Sequence, residues 1–433
     1  MRSELALNTK IKLSNLRKNY LLLLIFFLFF SGYITNFIPI SGINFGSSLF
    51  DAFLCIGFLA ASYRQIRSKI KMNYAFVLSI IIGVGTILLA FFNSPNFNNS
   101  FSGIRNHFLY LFLWWVVYVL VDPQDLVYLY KKLVQWSLFI SFYAIFQALF
   151  FRFLPEIFLN IKGVADFSIA GVTSYRCNGL VGDMLTFGGF AIITYLLTFS
   201  YIYIFNCNSN NKITKTNYIC LIVPVVASLF TYSRASIFGM VVTVFISFMY
   251  VERKFKKKIV VLVGIILCGV FVLLFTNTGK SVLERFTNSK INSSSDDIRY
   301  SQYRDAISNI RDNFFLGIGM GTQIGNRDRI VTDGYWLTCL LEMGVPLFLV
   351  YFVFFSYTLL LSFKEMVKRN VNTFFISVLY FFSMIYFFVF SFINSSLEVR
   401  VNLCTIMILY GIFVKVKENP AVIPYFKKKE AIK

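Results

Sequence analysis

A series of apolar runs, each long enough to cross a lipid bilayer, constrains this sequence more than any other feature. A helix that crosses the hydrocarbon core needs about 20 mostly apolar residues, and such runs recur along the whole chain of 433 residues. We therefore expect an all-α polytopic membrane protein that forms one integral membrane domain over residues 1–433. The twelve predicted spans cover residues 20–38, 46–62, 74–92, 105–121, 133–153, 183–205, 217–232, 234–251, 259–276, 334–361, 373–393 and 399–415.

The composition excludes the soluble alternatives. Apolar residues make up 57% of the chain and charged residues 14%, whereas a soluble domain has about 45–50% and about 25%. A globule of this size has too little polar surface to cover so much hydrocarbon. A cytosolic enzyme, a disordered chain and a nucleic-acid-binding domain are therefore excluded, no nucleic acid is an expected partner, and membrane lipids are.

The distribution of lysine and arginine predicts the orientation. Of the 41 basic residues, 27 fall in the N-terminal segment, in alternate loops and in the C-terminal tail. Short loops that are rich in lysine and arginine remain in the cytoplasm. We predict that both termini are cytoplasmic and that a first outer loop at 154–182 and a large outer loop at 277–333 lie on the other side.

The basic residues on the predicted outer side are mostly arginines. Eleven of these 14 residues are arginine, while lysine dominates on the cytoplasmic side. Arginine binds phosphates and carboxylates through a planar fork and keeps its charge when partly desolvated. The excess indicates an anion-binding site. For any single arginine, an ion pair with a loop acid such as Asp305 or Asp312 is an equally open interpretation.

The large outer loop has internal structure. Apolar or aromatic residues at positions 300, 303, 306, 307 and 310 predict an amphipathic helix, because this spacing places them on one helical face. Three glycines at 317, 319 and 321 follow. They predict a flexible turn rather than a nucleotide loop, because the Lys-Ser/Thr pair of a P-loop is missing.

Metal and disulfide chemistry have little support. His107 is the only histidine, and the seven cysteines are scattered without a C-x-x-C motif. This pattern is typical of small core residues. We expect no metal site and no cofactor.

Three stretches, in this order, resemble the O-antigen polymerase and O-antigen ligase superfamily of bacterial envelope enzymes. The first is an arginine that leads through a glycine into a span, and the second is a Ser-Arg-small turn between two spans. The third joins an arginine before the loop helix, a small-residue turn after it, and a Glu-x-Gly pattern. The stretches are 176–182 (RCNGLVG), 230–236 (FTYSRAS), and 299–303 (RYSQY) with 313–319 (NFFLGIG), 332–337 (TDGYWL) and 341–344 (LEMG).

One difference separates the two branches of the superfamily. Ligases typically carry a His-Asn pair where the outer loop returns to the membrane, whereas polymerases often carry an acidic residue there. This chain has Asp333 followed by Gly334 at that position. The sequence is therefore more similar to the polymerases.

The resemblance implies a metal-independent, inverting glycosyltransferase in the bacterial inner membrane. We expect a repeat-unit polymerase for O-antigen or capsule, which transfers the growing glycan from undecaprenyl pyrophosphate to a new lipid-linked repeat unit. A ligase of the same superfamily and a flippase or transporter for the lipid-linked oligosaccharide are the alternatives. A chain-length regulator protein is a further partner that the sequence leaves open.

Several residues have expected roles in that chemistry. Cleavage at the anomeric carbon sends negative charge onto the pyrophosphate, so fixed cations are needed there. We expect Arg176, Arg234 and Arg299 to bind it, with Arg304 in reserve. Asp333 is expected to act as the base for the acceptor hydroxyl, or else to cap the helix that follows it. The remaining candidate is Glu342, whose position two turns into a span suits either catalysis or a hydrogen bond to a neighbouring helix.

Overall fold

The computed structural model is a bundle of α-helices. The predicted span at 259–276, Asp333, and parts of the loops at 154–182 and 277–333 lie outside the residues that the structure describes. The described residues are 2–38, 45–68, 73–155, 158–159, 167–169, 172–174, 176–182, 184–209, 215–251, 289–323, 330–331, 334–370, 373–395 and 397–419.

Within those residues the chain forms thirteen α-helices. They are α1 (Arg2–Phe37), α2 (Phe45–Ser68), α3 (Tyr74–Phe92), α4 (Phe97–Ile104), α5 (Leu113–Leu120), α6 (Leu126–Phe150), α7 (Met184–Ser209), α8 (Lys215–Leu229), α9 (Arg234–Val251), α10 (Ser289–Asp312), α11 (Tyr335–Val367), α12 (Phe374–Phe390) and α13 (Arg400–Glu418). A π-helical turn (Arg105–Leu109) follows α4, and a 3-10 turn (Pro123–Asp125) precedes α6. An antiparallel hairpin of β1 (Phe167–Ile169) and β2 (Val172–Ser174) is the exception to an otherwise helical architecture.

Six described helices are long and apolar enough to cross a membrane: α1, α2, α3, α6, α7 and α11. The bent pair of α4 and α5, with an angle of 45°, adds a seventh if it counts as one span. Eleven of the twelve predicted spans coincide with a described helix or with this pair. The number twelve stays a prediction.

The short helix α5 lies at the centre of the bundle. All eight of its residues are buried, and it packs against α2 and α13. A Cβ atom at Gly411 of α13 would lie 2.4 Å from the carbonyl oxygen of Trp114, so this glycine permits close helix contact. By contrast, α3 exposes large apolar side chains such as Phe91 and Phe92. Such surfaces suit contact with lipid tails.

Contacts between helix ends define two ends of the bundle. At the terminal end, Ser14, Arg17 and Arg64 meet Asp122. At the loop end, the Asn93 side chain donates hydrogen bonds to the carbonyl oxygens of Leu316 and Gly317, and Tyr303 of α10 donates to that of Phe392. The candidate residues in the described part of the chain belong to the loop end.

Candidate functional site

A turn of glycines returns the large loop to the bundle, and the bend of α11 holds that turn in place. α11 bends at Gly344, which has φ +69° and ψ 170°. A Cβ atom at Gly317 would lie 2.4 Å from the carbonyl oxygen of Leu341, so only glycine fits this backbone approach. The Ile318 N–H donates to the same carbonyl (2.8 Å), and the Val345 N–H donates to that of Phe314 (2.8 Å). The turn is thus fixed by backbone contacts.

A fully buried histidine and glutamate form a pair beside this turn. His107 Nε2 lies 2.7 Å from Glu342 Oε2, and neither side chain is exposed to solvent. Glu342 Oε1 accepts a hydrogen bond from the Gln323 N–H at 2.7 Å. The glutamate therefore connects the π-helical turn, α11 and the end of the glycine turn. This agrees with the interpretation of Glu342 as a partner of a neighbouring helix.

The sequence contained a signal for this pair. An ionisable side chain inside a span is costly unless it has a partner, and both His107 and Glu342 fall in predicted spans. The contact itself could not be predicted, because the sequence does not show that the helical turn of His107 and the helix of Glu342 are neighbours.

The segment that leads towards Asp333 is tied back to the same region. Gln323 Oε1 accepts hydrogen bonds from the N–H groups of Ile330 (2.9 Å) and Val331 (3.2 Å). On the far side, α11 begins after Gly334, which makes no side-chain cap. The first two N–H groups of α11 donate to the carbonyl oxygens of Asn394 and Ser391 (3.3 and 3.2 Å). The backbone is therefore anchored on both sides of residues 332–333, which lie outside the described residues.

Arg176 contacts the turn that precedes Arg234. Arg176 is 9% exposed, and its Nε donates to the carbonyl oxygen of Thr231 at 3.0 Å. The next backbone N–H, that of Cys177, donates to the carbonyl oxygen of Phe230 (3.2 Å). α9 begins at Arg234, which is half-buried. The first two predicted anion-binding arginines thus belong to segments in direct contact.

Ser233 starts α9. Its side-chain oxygen accepts a hydrogen bond from the Ser236 N–H at 3.3 Å, which is the N-cap arrangement that serine favours. The preceding Tyr232 has φ +51°, a conformation that few residues other than glycine adopt. Arg234 thus follows Thr231, whose carbonyl oxygen Arg176 binds, by three positions across this tight turn.

Arg299 and Arg304 lie on α10, the helix predicted in the large loop. Its contact face differs from the predicted one. Ala306 is fully buried, and Tyr303 reaches the carbonyl oxygen of Phe392 at 3.2 Å, but Tyr300 is 74% exposed and Ile307 64% exposed. The helix packs mainly against α11, and Ala306 and Ile310 take part in that apolar contact. Position alone could not predict this, because which apolar side chains are covered depends on the docking angle.

The two candidate arginines of α10 differ in environment: Arg299 is half-buried and Arg304 is exposed. The segment that receives Tyr303 follows α12, and α12 packs against α9. A Cβ atom at Gly239 of α9 would lie 2.3 Å from the ring of Tyr386. Arg299 is therefore carried by a helix that docks at the same end of the bundle as Arg176 and Arg234.

Residues 219–352 match the model of a family described as O-antigen ligase. The matched region begins in α8, includes Arg234, α10 and the glycine turn, and ends in α11 after its bend. This match confirms the resemblance to the O-antigen polymerase and ligase superfamily. Arg176 and the predicted first outer loop precede the matched region. No curated protein matches the chain.

Proposed function

We propose, from the O-antigen ligase domain at residues 219–352, that this protein is a polysaccharide repeat-unit polymerase of the O-antigen polymerase and ligase superfamily. The observation that carries the proposal is the contact of Arg176 with the turn that precedes Arg234. It joins the segments that carry these two arginines, which are distant in the sequence, at one end of an apolar bundle.

The proposed reaction is an inverting, metal-independent glycosyl transfer. The bond between the anomeric carbon of the donor glycan and the pyrophosphate oxygen breaks. A bond forms from that carbon to a hydroxyl oxygen of the new lipid-linked repeat unit, whose proton passes to a base. Undecaprenyl pyrophosphate leaves with the electron pair of the broken bond.

Arg176, Arg234 and Arg299 stabilise the charge that develops on the pyrophosphate. Charged donors that are already in position when the reaction begins are commonly the largest contribution to catalysis. The hydrogen bond from Arg176 Nε to Thr231 fixes the plane of its guanidinium group, and the start of α9 fixes the backbone of Arg234. Arg304 is assigned to the entrance, because it is exposed.

Asp333 is assigned as the base for the acceptor hydroxyl. A helix start needs a side-chain cap when its first N–H groups lack partners. Here the N–H groups of Tyr335 and Trp336 already donate to carbonyl oxygens, so α11 does not depend on an aspartate cap. Gln323 and Glu342 serve as positioning residues, because their hydrogen bonds hold the segment before Asp333.

The second candidate is a ligase, which the description of the matched family favours. Ligases typically have a His-Asn pair where the loop returns to the membrane. The only histidine of this chain, His107, is fully buried against Glu342. It cannot take that position without leaving its partner in the bundle interior. This observation favours the polymerase.

A deletion strain tests the two functions against each other. A strain that lacks a polymerase makes single repeat units on the lipid A core, whereas a strain that lacks a ligase accumulates long chains on the lipid carrier and has a bare core. Glycan gels of the deletion strain, complemented with wild-type protein or with Arg311→Ala as a matched exposed-arginine control, separate these outcomes. Bare core with carrier-linked polymer would overturn the polymerase assignment.

We assign the protein to the bacterial inner membrane with both termini in the cytoplasm. The assignment is supported by the 27 basic residues of the predicted cytoplasmic segments and by the grouping of Arg17 and Arg64 at the terminal end. A reporter that is active only outside the cytoplasm should give a signal when it is fused after Asn292 of α10. Signal from a reporter that is active only in the cytoplasm would contradict the orientation.

A further inference from the structure

A second set of charged side chains lies at the loop end and is not part of the proposed donor site. It consists of Asp51 of α2, Arg105 of the π-helical turn and Arg400 of α13, and we call it the second arginine cluster. Tyr110 donates a hydrogen bond to Asp51 Oδ1 at 2.8 Å, while Arg105 NH1 lies 3.6 Å from Asp51 Oδ2. Arg400 donates to Ser31 at 2.6 Å and lies near enough to Asp51 to act on its charge.

The charges of this cluster are not balanced. Two guanidinium groups share one carboxylate, so the cluster carries a net positive charge in a largely buried location. Arg105 is held there by a loose contact rather than by a short hydrogen bond. The Nε atoms of Arg105 and Arg400 are both buried without a hydrogen-bond partner in the described part of the chain. Because burying unpaired charge and donors is costly, this arrangement indicates that an anion completes the cluster.

An apolar surface leads to the cluster. Phe97, Phe101 and Arg105 are spaced four residues apart, so they lie along one helical face. Phe97 is 81% exposed and Phe101 is 55% exposed, while the Arg105 side chain is 32% exposed. On the other side, the guanidinium group of Arg400 lies 5.3 Å from the centre of the Phe50 ring. The surface thus combines room for a hydrocarbon chain with cations at its end.

The second arginine cluster adjoins the segment of Arg176. Arg400 bonds Ser31 of α1, and the next residue, Gly32, touches the segment after Arg176, because a Cβ atom there would lie 1.9 Å from the carbonyl oxygen of Leu180. The start of α13 also meets the start of α7, where the Asn402 side chain donates to the carbonyl oxygen of Thr186 at 3.0 Å. Two groups of arginines therefore lie side by side at the loop end.

We propose that the second arginine cluster binds the pyrophosphate of a second polyprenyl pyrophosphate, the carrier of the acceptor repeat unit, while Arg176 and Arg234 bind that of the donor. This inference rests on the proposed polymerase function, because a polymerase joins two lipid-linked substrates. The 3.6 Å contact between Arg105 and Asp51 suits such a site: phosphate oxygens can take hydrogen bonds from Arg105 without breaking a short ion pair. Asp51 keeps the two guanidinium groups in place between turnovers.

The test counts bound lipids. The purified full-length protein, in nanodiscs of phosphatidylcholine, is titrated with undecaprenyl pyrophosphate, and native mass spectrometry reports the number of lipids bound. Wild type should bind two. The Asp51→Asn/Arg105→Gln double variant removes a cation together with its carboxylate, so that no unpaired acid remains, and it should bind one. Arg176→Gln/Arg234→Gln should also bind one, and Arg311→Gln, an exposed arginine of α10, should bind two.

The size of the effect follows from the lost hydrogen bonds. Loss of one charge-assisted contact should raise the dissociation constant of the second lipid about tenfold to a hundredfold. An Arg400→Gln variant provides an independent measurement, because it leaves both Asp51 and Arg105 in place. Melting temperatures of all variants should stay near that of wild type. This result would show that the loss of lipid binding is not caused by unfolding.

Three outcomes would overturn the inference, and they differ in what they say about the polymerase. A wild-type protein that binds one lipid, lost only in Arg176→Gln/Arg234→Gln, would remove the second site and leave the donor site standing. Displacement of the second lipid by equimolar phosphatidylglycerol would identify a general site for phosphate headgroups. No binding of undecaprenyl pyrophosphate at all would contradict the proposed function itself.

Discussion

Both ends of the molecule hold a carboxylate with two arginines, and they use the arginines differently. At the terminal end, Asp122 Oδ2 lies 2.5 Å from Arg17 and Asp122 Oδ1 lies 2.7 Å from Arg64, whose other terminal nitrogen donates to the Leu120 carbonyl oxygen. At the loop end, Arg105 lies 3.6 Å from Asp51, and Arg400 donates to Ser31 instead. The same residue types thus form a closed ion-pair network at one end and an open one at the other.

The closed network is a structural connection. Burial alone would raise the pKa of Asp122, but hydrogen bonds from Arg64 and Arg17 outweigh it, and the pKa lies below its ordinary value. Asp122 precedes α6, while Arg17 and Arg64 belong to α1 and α2, so three helices are joined. Arginines that pair with a carboxylate at hydrogen-bond distance thus stabilise the bundle, whereas an arginine held only by a 3.6 Å contact is available to a ligand.

The largest expected effect is on activity and comes from Asp333→Asn. Loss of a general base typically costs about 10²–10⁴-fold in rate, so cells with this variant should make single repeats and little polymer. The protein should remain stable and inserted, because the N–H groups at the start of α11 bond to Ser391 and Asn394. Glycan gels measure polymer formation, and immunoblots of membranes measure the amount of inserted protein. Wild-type chain lengths in this variant would reduce Asp333 to a structural residue.

Arg234→Ala should lower polymer formation by about 10²–10³-fold, the usual cost of removing one donor that stabilises developing negative charge. Arg234→Lys should recover little of it, because a point charge does not replace a planar fork. Polymer yield per amount of membrane protein is the measurement, with Arg311→Ala as the control. Full activity of Arg234→Lys would indicate an anchor for lipid headgroups and would remove this arginine from the proposed donor site.

Asp122→Asn should act on stability and leave activity per folded protein unchanged. The variant loses hydrogen bonds between charged groups, each worth about 1.5–3 kcal/mol, and leaves Arg17 and Arg64 facing each other. Thermal unfolding in detergent measures the loss. A variant that keeps the wild-type unfolding temperature but loses polymer would reverse the roles assigned to the two ends.

The same carboxylate gives a pH test. Because the pKa of folded Asp122 is depressed, its contribution to stability is present above the ordinary aspartate pKa of about 3.9 and is lost as the pH falls through the folded value. Wild type should therefore lose more stability than Asp122→Asn on acidification below about pH 4. Parallel curves for the two proteins would contradict the ion-pair assignment.

The smallest effect is expected from Glu342→Gln, because Glu342 belongs neither to the proposed donor site nor to the second arginine cluster. The amide can still accept the Gln323 N–H and bond His107 Nε2, so the change should cost about 0.5–1.5 kcal/mol in stability and less than tenfold in activity. Glu342→Leu should cost more, because it leaves His107 and the Gln323 N–H without this partner in the interior. Equal effects of the two variants would show that these hydrogen bonds do not position the loop.

Local patterns predicted the helices but not the contacts between them. Runs of apolar residues identified α3 and α11, and the spacing of residues 300, 303, 306, 307 and 310 identified α10 but not its contact face. The pairs His107–Glu342 and Asp51–Arg105 were missed, because they join residues 235 and 54 positions apart. Such pairs depend on which helices become neighbours. In the sequence, Arg105 and Arg400 are two of the 14 basic residues on the predicted outer side, and the acid between them has no local signal.

The interlock of Gly317 and Gly344 has a mechanical consequence. A Cβ atom at Gly344 would lie 2.5 Å from the carbonyl oxygen of Phe315, and one at Gly317 would lie 2.4 Å from that of Leu341, so the backbones of the turn and of α11 touch on both sides. α10 therefore cannot swing on its connection to α11 as a free lid. A displacement of α10 is therefore transmitted to the bend of α11 at Gly344. We expect α10 and the part of α11 before this bend to move together.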